Sequence, residues 1–87
     1  MAMKELVAYL AKNLVNDPSQ VKVREKVGRQ SVVLELQVAP DDMGRVIGKG
    51  GRVATAMRTL LRVAAVRQGK RVTLNIVEPR ERESASQ

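Results

Sequence analysis

Gly44-Arg-Val-Ile-Gly-Lys-Gly-Gly-Arg52 is where residue type and spacing most constrain the chemistry of this 87-residue chain. Gly48, Gly50 and Gly51 crowd three residues without a Cβ around Lys49. Glycine permits a tight turn at positive φ and leaves nothing to keep a ligand off the main chain. A helical pattern starts directly after the loop. The free N–H groups and positive dipole end of that helix would face whatever meets the glycines, which favours phosphate. Lys49, Arg45 and Arg52 surround the same point. A second pair, Asp41 and Asp42, could be taken for an acid/base couple. It follows Pro40, where carboxylates stabilise a helix N-terminus, so capping and dipole compensation are the expected roles.

Other chemistry is limited by what is missing. There is no Cys, His, Trp or Phe, and Tyr9 is the sole aromatic. That excludes a disulfide scaffold, the usual zinc ligands, a thiol nucleophile and an imidazole base. The expectation is a protein that is not an enzyme and carries no cofactor or metal. The longest apolar stretch, Leu6 to Ala11, is far shorter than the ~18 residues a membrane span needs. Charged Lys4 and Glu5 lead into it, unlike a signal peptide. A soluble, cytoplasmic protein is expected.

Net charge is +7, from 16 Lys and Arg against 9 Asp and Glu. From Met43 to Val77 there are eight basic residues (Arg45, Lys49, Arg52, Arg58, Arg62, Arg67, Lys70, Arg71) and no acidic one. The remainder is nearly balanced. A single-sign field confined to one segment suits a polyanionic partner better than solubility alone does.

The elements that must position the loop follow from periodicity. Met3, Leu6, Val7, Leu10 and Leu14 recur at helical steps, and Asp17-Pro18 stops the helix. Val21, Val23 and Val27 alternate with basic residues as a strand. Gly28-Arg-Gln30 is read as a turn whose glycine can take positive φ, and Val32, Leu34, Leu36 and Val38 form the second strand of a hairpin. Asp42 to Ile47 is a short helix broken by Gly48. The longest helix runs from Gly51 or Arg52 to Arg67, with Val53, Met57, Leu60, Leu61 and Ala64 on its apolar face and Thr55, Arg58, Thr59 and Arg62 opposite. Val63 and Val66 fall off that stripe. Gly69 fits a helix stop, and Val72, Leu74 and Ile76 mark a third strand. Residues 79–87 read as a disordered tail. The order α-β-β-α-α-β predicts an α+β domain, a three-stranded sheet covered on one face by three helices, over residues 1–78.

Three glycine-loop chemistries compete for Gly48 to Gly51. A Walker A loop needs four residues before Gly-Lys and then Ser or Thr; Gly44 is followed by three, and Gly50 stands at the hydroxyl position. A dinucleotide fingerprint needs Gly at Val53 and a preceding strand. The Gly-x-x-Gly loop of a KH domain sits between two helices, and Gly48-Lys49-Gly50-Gly51 matches it. A turn that merely needs glycines is the plain alternative. It leaves the basic flanks unexplained.

Val46-Ile-Gly-Lys-Gly-Gly-Arg52 resembles the KH core signature, and the element order resembles the prokaryotic, type II arrangement. Val33 to Gly48, Gly51 to Thr59 and the opening Leu6 to Val15, followed by Asp17-Pro18, are similar to the small single-domain bacterial KH proteins of the KhpA (YlqC) family. The likeness covers residues 3–78. Two positions depart from the broad KH pattern: Ala54, where an Ile or similar residue often stands, and Gly50, which leaves Lys49 to supply the loop's charge.

The resemblance implies binding of about four nucleotides of single-stranded RNA, as a post-transcriptional regulator or RNA chaperone. Arg45, Val46, Ile47, Gly48, Lys49, Gly50, Gly51 and Arg52 would form the site. The amides of Gly50, Gly51 and Arg52 would hold the backbone with Lys49, while Val46 and Ile47 would floor the bases. It also implies a homodimer, and a heterodimer with a larger KH-containing protein of the Jag (KhpB) type. The alternative is a KH-fold interaction module that works mainly by dimerising. A double-stranded DNA binder would leave the glycine loop unexplained. The lack of aromatics counts against stacking-type RNA binders.

Overall fold

Leu34 and Leu36, with no solvent-exposed surface, sit at the centre of the domain on the middle strand of the sheet. The computed structural model describes residues 2–78, and the tail expected at 79–87 lies outside them. The order is α1 (Met3–Leu14), β1 (Lys22–Val27), β2 (Ser31–Gln37), α2 (Met43–Ile47), α3 (Arg52–Arg67) and β3 (Arg71–Val77), with single 3₁₀ turns at Pro18–Gln20, Pro40–Asp42 and Lys49–Gly51. This is the α+β arrangement expected from periodicity.

The sheet order is β1-β2-β3. β1 and β2 are an antiparallel hairpin, with Val23 opposite Leu36 and Val27 opposite Val32. β2 and β3 run parallel, with Leu34 opposite Leu74. Parallel strands need a long crossover, and α2, the glycine loop and α3 supply it. One sheet face is therefore helix-covered. Val32, Leu34, Leu36 and Leu74 pack there against Met3, Val7 and Ala11 of α1, Val46 of α2, and Met57, Leu61 and Ala65 of α3. Each fully buried Val or Leu contributes about 1.5–3 kcal/mol of transfer free energy, so an aliphatic core suffices without aromatics.

The structure corrects the sequence reading in three places. Gly28 is not among the positive-φ glycines; the hairpin closes through Gly28 N–H donating to the Ser31 carbonyl at 2.7 Å. The buried seam of α3 is Ala54, Met57, Leu61 and Ala65, while Leu60 is 49% exposed. Small alanines let the helix approach the sheet closely, and hydropathy alone does not encode that distance. Asp42 does not cap α2 through its side chain. Its buried carboxylate instead reaches back to the α1–β1 connection, where Asn16 N–H donates to Oδ1 at 3.0 Å and Asp17 N–H to Oδ2 at 3.1 Å. Asp17 in turn accepts from Ser19 and Gln20, and the Ser19 hydroxyl holds its carboxyl below the usual range. Gly69 stops α3 as expected, at φ 67°, with Gly69 N–H donating to Val66 O and Lys70 N–H to Ala65 O.

Replacing Asp42 by Ala would orphan two main-chain donors and uncouple α2 from the α1–β1 connection. Urea denaturation should show a loss of about 2–3 kcal/mol, and Asp42→Asn, which keeps one acceptor oxygen, should lose less.

Candidate nucleic-acid interface

Gly48 ends α2 at φ 78°, ψ 169°, a region only glycine occupies without strain. A Cβ built there would lie 2.5 Å from Val53 Cγ2 and 2.8 Å from the Val53 nitrogen. The absence of a side chain is thus what lets the end of α2 rest on the first turn of α3. Gly50 (φ 63°) and Gly51 (φ 78°) are also left-handed, but a Cβ on either would meet nothing. These two face open space rather than a neighbour. Their absent side chains clear an approach to the main chain.

The loop's own hydrogen bonds use part of the expected amide cradle. Gly51 N–H donates to the Gly48 carbonyl at 3.0 Å, and Arg52 N–H donates to the Lys49 carbonyl. Of the three amides singled out from sequence, Gly50 N–H makes no such turn bond among the described residues. Lys49, Gly50 and Arg52 are exposed.

The remaining expected site residues separate by depth. Ile47 is 36% exposed next to the loop, and Val46 has no exposed surface. Val46 therefore belongs to the core and supports α2 from beneath; an apolar floor at this end consists of Ile47. Arg45 is half-exposed, with Nε 3.6 Å from Asp42 Oδ1. It shares its charge with a buried carboxylate, so Lys49 and Arg52 carry the unshared positive charge at the loop.

α3 leads from the loop to a groove of about 160 Å³ lined by Arg58, Leu61, Arg62, Val72, Thr73 and Leu74. Arg58 lies six residues past Arg52, about 9 Å along the helix. Its Nε and Nη2 donate to the Leu74 carbonyl at 3.3 and 3.2 Å, tying α3 to the edge strand β3. The strand that lines this groove is β3. Arg58, Arg62 and Thr73 were missed as a group because 11 or more residues separate the helical arginines from the strand threonine. Their only sequence signal was the excess of arginine on the polar side of α3.

On the solvent side of α3, Val63 is 55% and Val66 72% exposed, beside Thr59, Arg62 and Arg67 in a shallow apolar depression. Among the described residues no group of His, Cys, Asp or Glu could hold a metal ion, and no helix is long and apolar enough to cross a membrane.

Residues 4–76 match the sequence profile of the KhpA/KhpB KH domain. The RNA-binding protein KhpA of Clostridium acetobutylicum is 53% identical over 75 residues, covering 86% of this chain and all of that protein. The protein of the same name from Caldanaerobacter subterraneus is also 53% identical, with the same coverage. That of Aquifex aeolicus is 47% identical over 77 residues, covering 88% of this chain and 98% of its own.

Two glycine substitutions should separate packing from access. Gly48→Ala, which is strained and sterically blocked, should cost about 3 kcal/mol or more. Gly50→Ala, which is strained only in φ, should cost about 1–2 kcal/mol. Thermal melts of both variants measure the difference.

Proposed function

Because this chain belongs to the KhpA/KhpB family of KH domains, we propose that it binds short single-stranded RNA at the Gly48-Lys49-Gly50-Gly51 loop. The observation that carries this reading is the loop itself. Two open, left-handed glycines and an exposed lysine stand at the start of a 16-residue helix. Gly50 N–H, the Lys49 ammonium and the Arg52 guanidinium hold the sugar-phosphate chain. Gly50 and Gly51 let it approach, and Arg45 adds partial charge at the edge. Gly48 and Val46 hold the loop in place without touching RNA through a side chain.

Bases lie on Ile47 and along the α3–β3 groove, where Arg62 and Thr73 offer polar contacts. About four nucleotides fit such a cleft. Phosphate contacts position the strand and base contacts specify it, so a site this small gives modest affinity and broad sequence tolerance. The protein acts by association, in the cytoplasm, as a post-transcriptional regulator or RNA chaperone.

A second reading, dimerisation, is favoured by the exposed Val63 and Val66 on α3. These residues lie on the solvent side of the same helix that opens at the loop. A second copy, or a larger KH-containing protein of the Jag (KhpB) type, would bury them and bring two weak clefts together, raising avidity.

The double variant Lys49→Asp/Gly50→Asp should abolish binding of a short single-stranded RNA while the melting temperature falls by only a few degrees, since Asp tolerates left-handed φ better than most residues. For the unaltered protein, log K should fall with log salt at a slope of roughly −2 to −3.5, for about three to five phosphate contacts. Retained binding by the variant would remove the loop from the site. For the second reading, Val66→Lys should shift sedimentation at high protein concentration towards monomer without changing the fold seen by circular dichroism.

A further inference from the structure

The helices cover one face of the sheet; the other carries its own charge pattern. Strand alternation puts Lys22, Arg24 and Lys26 of β1 on the side opposite the buried Leu34 and Leu36. The ladder aligns them with Gln37, Glu35 and Val33 of β2, and these with Val77, Asn75 and Thr73 of β3. Arg71, opposite Ser31, adds a fourth cation to the same face. All four cations, Thr73 and Asn75 are exposed. The single carboxylate that the ladder places there is Glu35, half-buried and aligned with Arg24. Four cations against one carboxylate leave a net charge of +3 on a surface that no helix covers among the described residues.

We propose that this open sheet face is a second contact surface for the phosphate backbone of the same RNA, separate from the loop; the proposal rests on the RNA-binding reading above. Charge complementarity is the first argument. The second is geometry: Lys22, Arg24 and Lys26 repeat every two residues, about 6.8 Å apart along the strand. That row can meet successive phosphates of an extended single strand. The third is continuity. Thr73 lines the α3–β3 groove and also belongs to the open face. An RNA leaving the groove therefore needs only to round the edge strand β3, where Asn75 and Arg71 meet it, to reach the basic row on β1. The domain measures 38 × 32 × 22 Å. An RNA of about 20 nucleotides, at no less than ~3.4 Å each, is long enough to follow that path, whereas one of about four is not.

The test uses the full chain and two single-stranded RNAs of one base composition, about four and about 20 nucleotides long. The variant Lys22→Ala/Lys26→Ala is compared with Lys4→Ala/Lys12→Ala, which removes equal charge from exposed positions on α1. The sheet-face variant should bind the short RNA as the unaltered protein does. It should bind the long one on the order of tenfold more weakly at 0.1 M salt, with the salt slope reduced in magnitude by about 1.4. The α1 variant should change neither.

Unchanged long-RNA binding by the sheet-face variant overturns the proposal. So does an equal loss for both RNAs, or an equal loss in the α1 variant, since either reports net charge alone. Failure of the loop reading looks different: Lys49→Asp/Gly50→Asp would still bind the short RNA, while the sheet-face variant would still lose the long one. If the unaltered protein binds neither RNA, both readings fall.

Discussion

The close approach of α2 and α3 at Gly48 decides where the loop's donors point. Val53 occupies the volume that a Cβ at position 48 would need. Only glycine can therefore join the end of α2 to the start of α3 at this angle. The other end of α2 is fixed as firmly. Asp42 is buried and takes two main-chain hydrogen bonds from the α1–β1 connection, 25 and 26 residues away in the chain. A five-residue helix has little stability of its own. Clamped at Asp42 and at Gly48, with Val46 sunk into the core between them, it becomes a rigid mount for the loop.

That rigidity bears on the RNA binding proposed for the loop. A loop already held in its left-handed conformation has less entropy to lose when it meets a phosphate. The division among the glycines follows the same logic. Gly48 is glycine because of what lies behind it, whereas Gly50 and Gly51 have nothing in front of them. Packing requires one glycine, and the other two leave the main chain open, although the three look alike in the sequence.

The charge has a similar two-part organisation. The segment from Met43 to Val77 places most of its cations on the helix layer, along α2, the loop and α3, and Arg71 on the open sheet face. Within it, Arg58 is committed to the Leu74 carbonyl and Arg45 shares the field of Asp42, so fewer cations are left unshared than the linear count suggests. β1, in the part of the chain that is nearly neutral in sum, instead aligns its three cations on one face. Its acid, Glu25, takes the opposite face, across from Leu34.

The six main elements, the hairpin, the α+β class and the position of the glycine loop were legible in the amino-acid pattern alone. These depend on short-range rules: apolar period, proline stops and glycine breaks, all readable within a few residues. The bounds of α1, Met3–Leu14, emerged as expected because its apolar stripe and Asp17-Pro18 stop are both local. Packing in three dimensions set the rest. It turned α3 so that Ala54 and Ala65 rather than Leu60 meet the sheet, buried Val46, gave Asp42 to a distant main chain, left Gly28 outside the left-handed region and set β3 beside the groove. Each of these depends on how closely two surfaces approach across many residues of chain, and no local pattern carries that distance.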